Sequence, residues 1–235
     1  NVRYVPLGVD PADWHYVQRP ALDNEFRFLI GGSGERKGTD LAFEAFQRVF
    51  GSRYDGPRWM GTGPAPMLTM KQPKPEEGFY APWVKVIGGK ITGDEERLLY
   101  ETHHVYLQPS RGEGFGLQPL QAIAQGLPTI LTDAHGQADY AHLGVPISAV
   151  EGPAAYFAFG NPRGMNWWEP NLEELCEAIH DVYENYEMHR QHAQHAAGVV
   201  AREWTGAQSA QAFIAAFDGA LSAPAPDQHE WHKPV

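Results

Sequence analysis

The hydrophobic pattern of the chain alternates short apolar runs with longer stretches in which apolar residues recur every three or four positions. The short runs are typical of strands in a buried sheet, and they lie at Phe26–Ile30, Trp83–Ile87, Val105–Leu107 and Thr129–Leu131. Pro57–Gly63 predicts a further short strand ending in a glycine turn, and Asn1–Asp13 predicts a short strand and a turn. The polar, proline-rich stretch Met67–Pro82 predicts an extended surface loop.

The longer stretches predict helices between these strands. The first begins at Thr39, which we expect to be its N-cap, and Thr92 forms a capping box with Glu95 before the pair Leu98 and Leu99. Further helices are predicted to begin at Leu117, Asn171, Gln191 and Ser209. Strands that alternate with helices predict an α/β fold, a doubly wound and Rossmann-like parallel sheet.

One glycine loop, Ser110–Gly116, joins the Val105–Leu107 strand to the helix that starts at Leu117. Unpaired N–H groups at a helix start form an anion site. Glu113 can accept hydrogen bonds from hydroxyls, and the amide of Gln121, one turn beyond Leu117, can donate and accept. An anion site next to a hydroxyl acceptor and an amide suits a ligand in which a sugar is joined to a nucleoside diphosphate. The alternative interpretation is an ordinary turn whose glycines serve only packing.

A second glycine loop, Gly31–Gly38, follows the Phe26–Ile30 strand and carries Arg36 and Lys37. Its spacing fits neither a Walker A motif nor a dinucleotide fingerprint. A diphosphate could meet both backbone donors and fixed cations here, and the alternative is a solvated charge pair. Both loops follow strands of a parallel sheet, so we expect them to converge at one edge.

Composition limits the partners. The chain has 235 residues, 43% of them hydrophobic, and a formal charge of −11, which argues against nucleic acid as a partner and leaves any phosphate to a few local cations. A single cysteine, Cys176, excludes an internal disulfide and favours a reducing, cytoplasmic setting. No run approaches the roughly 18 apolar residues of a membrane span. The chain begins at Asn1 rather than methionine, so we expect an upstream segment to have been removed.

The histidines do not predict a metal site. His103 and His104 are adjacent and point in different directions, while His189, His192 and His195 share a three-residue spacing that favours a solvated helix face over metal binding. The aromatic-dense stretch Ala154–Pro170 predicts core aromatics, with a docking surface as the alternative.

The segment EGFGLQPLQAIAQGLPTILTD resembles the signature of the GT-B glycosyltransferases, specifically the retaining nucleotide-sugar enzymes of glycosyltransferase family four. The matching positions are Glu113, Phe115, Gly116, Ala122, Ala124, Gly126 and Pro128. Gln121 departs from the pattern, because the family has a second Glu there that holds the ribose hydroxyls. Residues 1–15 resemble the linker that enters the second domain of these enzymes. The resemblance therefore implies the C-terminal, donor-binding half of a GT-B fold, with the domain at 16–222. The last residues, 223–235, are rich in Pro, Ala and His and predict a loose tail.

The resemblance also implies roles for other positions. In the family an R/K-K-G element uses its lysine to hold the diphosphate, which implicates Lys37. A glycine turn near the donor base implicates Gly63, and backbone contacts to the base implicate Lys90 and Ile91. The turn at Asp133 and His135 resembles the T-D-x-x-G element, where a place at the cleft rim and a purely structural role both stay open.

The implied function is a glycosyltransferase, or its donor-binding half, that transfers a sugar with retention from a UDP- or GDP-linked donor to an unknown acceptor. With no D-x-D motif, neither a metal nor a cofactor is expected, and Glu113, Lys37 and Arg36 are the predicted catalytic residues. The other predicted donor-binding residues are Gly32, Ser33, Gly63, Lys90, Ile91, Arg111, Gly114, Phe115, Gly116, Leu117 and Gln121. Two alternatives remain. One is a non-catalytic nucleotide or nucleotide-sugar binding module paired with a separate acceptor-binding chain, and the other is a related GT-B epimerase or phosphorylase.

Overall fold

The computed structural model describes residues 3–72, 81–154 and 166–221. The strands are β1 (Glu25–Ile30), β2 (Tyr54–Asp55), β3 (Arg58–Trp59), β4 (Ala65–Gln72), β5 (Val84–Gly88), β6 (Val105–Gln108), β7 (Thr129–Thr132), β8 (Val145–Ile147), β9 (Ala149–Pro153) and β10 (Asn166–Pro170). The helices are α1 (Thr39–Phe50), α2 (Gly93–Thr102), α3 (Leu117–Ala124), α4 (Leu172–Glu184), α5 (Tyr186–Glu203) and α6 (Gly206–Leu221).

Six strands form one sheet in the order β5-β4-β1-β6-β7-β8, and each pair of neighbours is parallel. The chain builds outward from β1 to β5 and then returns to add β6 on the other side of β1. Ligands of open parallel sheets bind outside the carboxyl ends of the strands at such a reversal. The prediction of a doubly wound α/β sheet is confirmed, and the loops after β1 and β6 flank the reversal.

Alternate residues of the central strands are buried in different cores on the two faces of the sheet. Phe28 and Leu107 belong to a core that α1 and α4 complete, whereas Leu29 and Tyr106 belong to one that includes residues of α2 and α3. Burial on both faces explains why these strands are nearly continuous apolar runs. Helices cover both faces, so a ligand reaches the strands at their ends.

The sequence prediction missed two strands of the sheet, β4 and β8, and no strand was predicted around Val145–Ile147. Met67–Pro82 was expected to be a surface loop, but its first part belongs to β4, which lies between β1 and β5. Leu68 and Met70 are fully buried there. The predicted strand Pro57–Gly63 yields only β3, which pairs with β2 in a hairpin outside the main sheet. The prolines that flank β4 mimic a loop pattern, and residues 73–80 lie outside the described part of the chain.

Several helix boundaries also differ from the predictions. Thr39 is not the N-cap of α1: Gly38 is, with φ +70°, and no side chain caps this helix. The capping box of Thr92 and Glu95 is confirmed, but Leu98 is 56% exposed and Tyr100 takes the buried position on α2. The helices predicted from Gln191 and Ser209 begin earlier, as the bounds of α5 and α6 show.

The first described residues are fastened to the start of α6. Val9 N donates to Trp204 O at 2.9 Å, Gly206 N donates to Val9 O at 3.0 Å, and Ser209 Oγ donates to Pro6 O at 2.7 Å. A single bridge between Val9 and Thr205 replaces the predicted strand. The predicted boundaries of the linker, the domain and the tail stay predictions. Among the described residues, no helix combines the length and the apolar character that a membrane crossing requires.

Candidate functional site

The two glycine loops meet at the carboxyl edge of the sheet, as predicted. Arg111 N donates to Arg36 O at 2.8 Å, and Ser110 Oγ donates to the same carbonyl at 3.0 Å. Gly38 has φ +70°, and a Cβ built there would lie 1.8 Å from Pro109 O. Only glycine fits a left-handed position at so close an approach. The loops therefore form one hydrogen-bonded unit.

This unit brings the three predicted catalytic side chains together. Lys37 Nζ lies 2.5 Å from Glu113 Oε1, and Arg36 Nη1 lies 3.4 Å from Glu113 Oε2. The side chains of Glu113 and Lys37 are 9% and 18% exposed, whereas Arg36 is 55% exposed and also donates to the Gly112 carbonyl. A carboxylate is thus held beside two cations at the mouth of the loops.

Two further side chains orient Glu113, and sequence reasoning missed both of them in this role. The Ser110 hydroxyl, whose single proton is shared with the Arg36 carbonyl, lies 3.1 Å from Glu113 Oε1, and Gln108 Nε2 donates to the same oxygen at 3.3 Å. Tyr106 OH donates to Gln108 Oε1 at 3.1 Å, which fixes the orientation of the amide. The available signal was Gln108 itself, a polar residue that ends an apolar strand.

The N-terminus of α3 is open. Its N-cap, Gly116, has φ +85°, and no side chain caps it. The buried Tyr140 hydroxyl donates to the carbonyls of Phe115 and Gly116. Because N–H and C=O point in opposite directions across a trans peptide, the N–H groups of Gly116 and Leu117 point away from Tyr140. Gly114, just before them, is exposed and has no atom within 4 Å of an added Cβ.

A cleft of about 250 Å³ opens at this point. It is lined by Leu7, Lys37, Glu113, Phe115, Gly116, Leu117, Gln118 and Pro119. Leu117, expected in the buried stripe of α3, is 38% exposed at the cleft instead. A larger depression of about 470 Å³, between Gln18–Leu22 and the segment from Tyr183 to Arg190, is lined by residues of neither glycine loop. We assign the candidate site to the smaller cleft, because the acid, the cation and the open helix end line it.

Arg111 was predicted to bind the donor, but its guanidinium is fully engaged within the protein. Its five N–H groups meet Asp40 through Nη1 and Nη2 at 2.8 Å each, Glu169 through Nε and Nη2 at 2.7 and 2.8 Å, and Glu35 O through Nη1 at 2.5 Å. The guanidinium also lies 5.2 Å from the centre of the Trp167 ring. Arg111 therefore joins the loop after β6 to α1 and β10, and no N–H group of its guanidinium remains to bind a phosphate.

Trp167 belongs to the aromatic-dense stretch Ala154–Pro170, which the structure describes only in part. Residues 155–165 of that stretch lie outside the described part of the chain, while Trp167 and Trp168 in β10 are half-buried.

Gly63 is not brought to the site. It precedes β4, whose first residue Ala65 pairs with Glu25 at the start of β1, so it lies at the amino edge of the sheet. The hydroxyl of Tyr183 donates to the adjacent Pro64 carbonyl at 2.8 Å and lies 3.4 Å from a Cβ built on Gly63. The short strand predicted at Pro57–Gly63 does form in part, as β3, but it lies outside the main sheet, so the turn at Gly63 does not follow a strand end that faces the site.

The other predicted residues lie at the correct edge. Gly32, with φ +90°, lies against the Lys37 side chain, and Ser33 is half-exposed in the same loop. Lys90 and Ile91 follow β5, two strands beyond β1. Gln121 is half-exposed on α3, one turn beyond Leu117, and does not itself line the cleft. Their roles toward a donor stay predictions.

His135 ties a third loop to the site. Its Nε2 donates to Ser110 O at 2.9 Å, while Gly136 N donates to Glu113 O at 3.2 Å. His135 has φ +45°, uncommon for a residue with a side chain. Burial lowers its pKa, which favours the neutral ring. Two roles were left open for His135, a structural one and a place at the rim of the cleft. The structure shows the structural role, because the loop of His135 is hydrogen-bonded to the loop that carries Glu113, and Glu113 lines the cleft.

The remaining titratable candidates have structural partners. His189 Nε2 lies 2.7 Å from Asp181 Oδ2, and His103 Nε2 lies 2.8 Å from Thr69 Oγ1. Cys176 is half-buried against the core, and burial raises its pKa, as suits an inert thiol. Across residues 3–72, 81–154 and 166–221, no group of three His, Cys, Asp or Glu side chains could hold a metal ion. The expectation that neither metal nor cofactor is needed stays a prediction.

Comparison with known proteins gives one family match and many structural matches. Residues 2–213 match the family described as "Family 4 Glycosyltransferase in conflict systems". The chain is 29% identical over 130 residues to the lipopolysaccharide core biosynthesis mannosyltransferase LpsB of Rhizobium meliloti. That alignment covers 54% of this chain and 33% of LpsB, so the chain spans about a third of the length of this relative.

Two solved structures illustrate the shared fold. Sucrose-phosphate synthase of Thermosynechococcus elongatus superposes with a TM-score of 0.65 and 17% identity, over 94% of this chain and 53% of that one. The C-terminal domain of the group 1 glycosyltransferase LpcC from Francisella tularensis gives a TM-score of 0.61 and 16% identity, over 84% of this chain and 99% of that domain. The fold described above is therefore also that of an isolated C-terminal domain.

Proposed function

The chain belongs to the family 4 glycosyltransferases of conflict systems, and from that membership we propose that it is the donor-binding half of a retaining, metal-independent enzyme that uses a nucleotide-sugar. The membership agrees with the family predicted from the segment that begins at Glu113. Retention is inferred from the resemblance to that family. The acceptor is expected to be bound by another domain or chain, since this one spans about half the length of sucrose-phosphate synthase.

One observation carries the proposal: a lysine, a carboxylate and an open helix N-terminus line the same cleft. Lys37 and Glu113 are in contact there, and Gly116 and Leu117 present the first N–H groups of α3. An anion is favoured at a helix N-terminus by both the free donors and the dipole. In a chain of formal charge −11, a local anion site of this kind indicates a specific phosphate ligand.

The donor diphosphate would meet Lys37 first. An ammonium has three N–H donors, so Lys37 can hold a phosphate oxygen while it keeps its contact with Glu113. When the bond between the anomeric carbon and the phosphate oxygen breaks, negative charge grows on the diphosphate. Lys37 and the N–H groups of Gly116 and Leu117 would surround that charge, with the more exposed Arg36 beside them. Donors held in place before the reaction stabilise a leaving group without solvent reorganisation.

Glu113 would face the sugar. Gln108 donates to its Oε1, and the Ser110 hydroxyl lies 3.1 Å from the same oxygen, so the carboxylate is oriented before a ligand arrives. Its Oε2 has a longer contact, 3.4 Å, with the exposed Arg36. This oxygen is the one available to accept hydrogen bonds from sugar hydroxyls.

A ligand screen tests the proposal. UDP, GDP, ADP and their sugars should include at least one compound that raises the melting temperature of the chain, because a ligand that binds only the folded state stabilises it. Lys37→Ala should reduce that shift and weaken the calorimetric affinity at least about 100-fold, while Lys85→Ala, which removes an exposed lysine on β5, should leave both unchanged. Unchanged affinity in Lys37→Ala would defeat the assignment.

A second candidate is a non-catalytic module that binds a nucleotide or nucleotide-sugar. The amide of Gln121, where the family signature has a carboxylate, favours it. Transfer to an acceptor, or hydrolysis of the donor, separates the two functions. A chain that binds the donor yet turns over none of it, alone and together with an acceptor-binding domain, is the module.

A further inference from the structure

A carboxylate outside the two glycine loops lies against the wall of the cleft. Glu96, on the first turn of α2, accepts a hydrogen bond from Gln118 Nε2 at 3.0 Å through Oε1. Lys71, near the carboxyl end of β4, places Nζ 3.5 Å from the same oxygen. The side chains of Glu96 and Lys71 are 22% and 26% exposed. Gln118 itself lines the cleft, so Glu96 is one contact away from the ligand space.

The packing of the loops decides the direction in which a bound nucleotide extends. On the β7 side the cleft is closed, because a Cβ built on Gly136 would lie 2.3 Å from Gly114 O and 2.6 Å from Phe115 Cα. Tyr140 fills the space behind Gly116, 2.5 Å from a Cβ built there. On the α3 side the cleft is lined by Gln118, which is hydrogen-bonded to Glu96, and Glu96 in turn contacts Lys71.

The chemistry of this group suits a vicinal diol. A carboxylate offers two oxygens, each with room for more than one donor, and Gln118 and Lys71 occupy only Oε1. Within the described residues no hydrogen bond engages Oε2. Lys71 partly neutralises Glu96, which reduces its repulsion of a diphosphate a few ångströms away. Gln121 neighbours Gln118 on α3 at the i, i+3 spacing, but it is neutral and cannot supply this charge.

We propose that Glu96 is the residue that binds the ribose hydroxyls of the nucleotide, with Lys71 and Gln118 as its positioning residues. The inference rests on the proposed donor site and names its nucleoside-facing part. A diphosphate held at Lys37 and the N-terminus of α3 would extend its ribose past Gln118. The two hydroxyls would donate to Glu96, and Oε2 would accept at least one of them.

A comparison of ribose and dideoxyribose ligands tests this assignment. Binding of UDP, GDP and ADP, of their 2′,3′-dideoxy counterparts and of inorganic pyrophosphate would be measured by calorimetry on the chain, on Glu96→Gln and on Glu101→Gln. Glu101 lies at the other end of the same helix, so its variant matches the change in net charge. Glu96→Gln should weaken the ribose ligand about 10- to 100-fold, the range for loss of a hydrogen bond to a charged group. The same variant should leave the affinities for the dideoxy ligands and for pyrophosphate unchanged.

The choice of ligands and variants distinguishes failure of the Glu96 assignment from failure of the proposed donor site. Retained pyrophosphate binding in Glu96→Gln shows that the variant is folded. If Glu96→Gln then preserves the preference of the unaltered chain for ribose over dideoxyribose, the assignment of Glu96 is overturned while the donor site stands. Equal losses in Glu96→Gln and Glu101→Gln would assign the effect to net charge and overturn it as well. No binding of any nucleotide or pyrophosphate to the unaltered chain would overturn both the inference and the proposed function.

Discussion

Replacing Lys37 by alanine should weaken nucleoside diphosphate binding by more than the loss of one contact. In the free chain the Lys37 ammonium lies 2.5 Å from Glu113, whose side chain is 9% exposed. Without that ammonium, the remaining cation is Arg36, at 3.4 Å and 55% exposed. The variant therefore removes an attraction and also leaves a poorly screened carboxylate facing an incoming dianion.

The two effects can be estimated separately. Loss of a charge-assisted hydrogen bond removes about 1.5 to 3 kcal/mol. Two oxygens bound to one tetrahedral ammonium at about 2.8 Å lie roughly 4.6 Å apart, and two negative charges at that distance repel by about 3 to 4 kcal/mol at an effective dielectric constant near 20. Because Arg36 and water screen part of the repulsion, we expect a total loss of about 3 to 5 kcal/mol, or roughly 10²- to 10⁴-fold in affinity.

A double-mutant cycle measures the second effect. Calorimetry with whichever nucleoside diphosphate binds the unaltered chain would compare Lys37→Ala, Glu113→Gln and the double variant, with Lys85→Ala as the control. The ligand lacks the transferred sugar that Glu113 is proposed to contact, and the Lys37 ammonium balances the Glu113 charge. Glu113→Gln alone should therefore change the affinity much less than it does when Lys37 is also replaced. The double variant should bind at least about tenfold tighter than Lys37→Ala, since it no longer carries the repelling charge. A double variant that binds no better than Lys37→Ala would refute the reasoning about repulsion.

Three further predictions concern stability. Arg111→Ala should lower the free energy of unfolding by about 2 kcal/mol in urea denaturation, because it removes the charge-assisted hydrogen bonds of a buried guanidinium whose partners Asp40 and Glu169 are 39% and 48% exposed; a change below about 1 kcal/mol would show that these ion pairs contribute little. Gly116→Ala should lower it by about 2 kcal/mol or more, since the position has φ +85° and the new Cβ would lie 2.5 Å from the Tyr140 hydroxyl; an unchanged melting temperature would contradict this geometry. Burial lowers the pKa of His103 and of His104 from 6.5 to about 4. Their contribution to stability is therefore complete above pH 6.5 and is lost as pH falls toward 4, by up to about 1.4 kcal/mol per pH unit for each histidine; equal unfolding free energies at pH 7 and pH 5 would contradict it.

The sequence was sufficient where local pattern and chemistry agree. The runs that became β1, β6 and β7 are apolar because both faces of the sheet are covered, and that burial is what the pattern records. The convergence of Lys37 and Glu113 followed from the parallel topology alone, since both loops come after strands. The left-handed cap at Gly126, with φ +77°, was also foreseeable, because glycine is the residue that such an end requires.

The sequence was insufficient where a residue depends on partners that are distant in the chain. Arg111 looks like a phosphate ligand in its loop, but its acidic partners lie 71 and 58 positions away and became neighbours only in the fold. The strand β4 was missed because prolines border it on both sides, although Leu68 and Met70 alternate with polar residues as a strand should. Glu96 gave no local signal at all, since it became notable only through its contact with Gln118.

The bonds between Pro6–Val9 and the start of α6 connect parts of the chain up to 203 positions apart. So few bonds across so long a separation are expected to form late in folding and to open first under native conditions. In hydrogen exchange, the amides of Val9 and Gly206 should exchange through local opening while those of β1 and β6 stay protected. Because Leu7 lines the cleft and Val9 packs in the same core as Phe115, opening of the first segment would also uncover one wall of the candidate site.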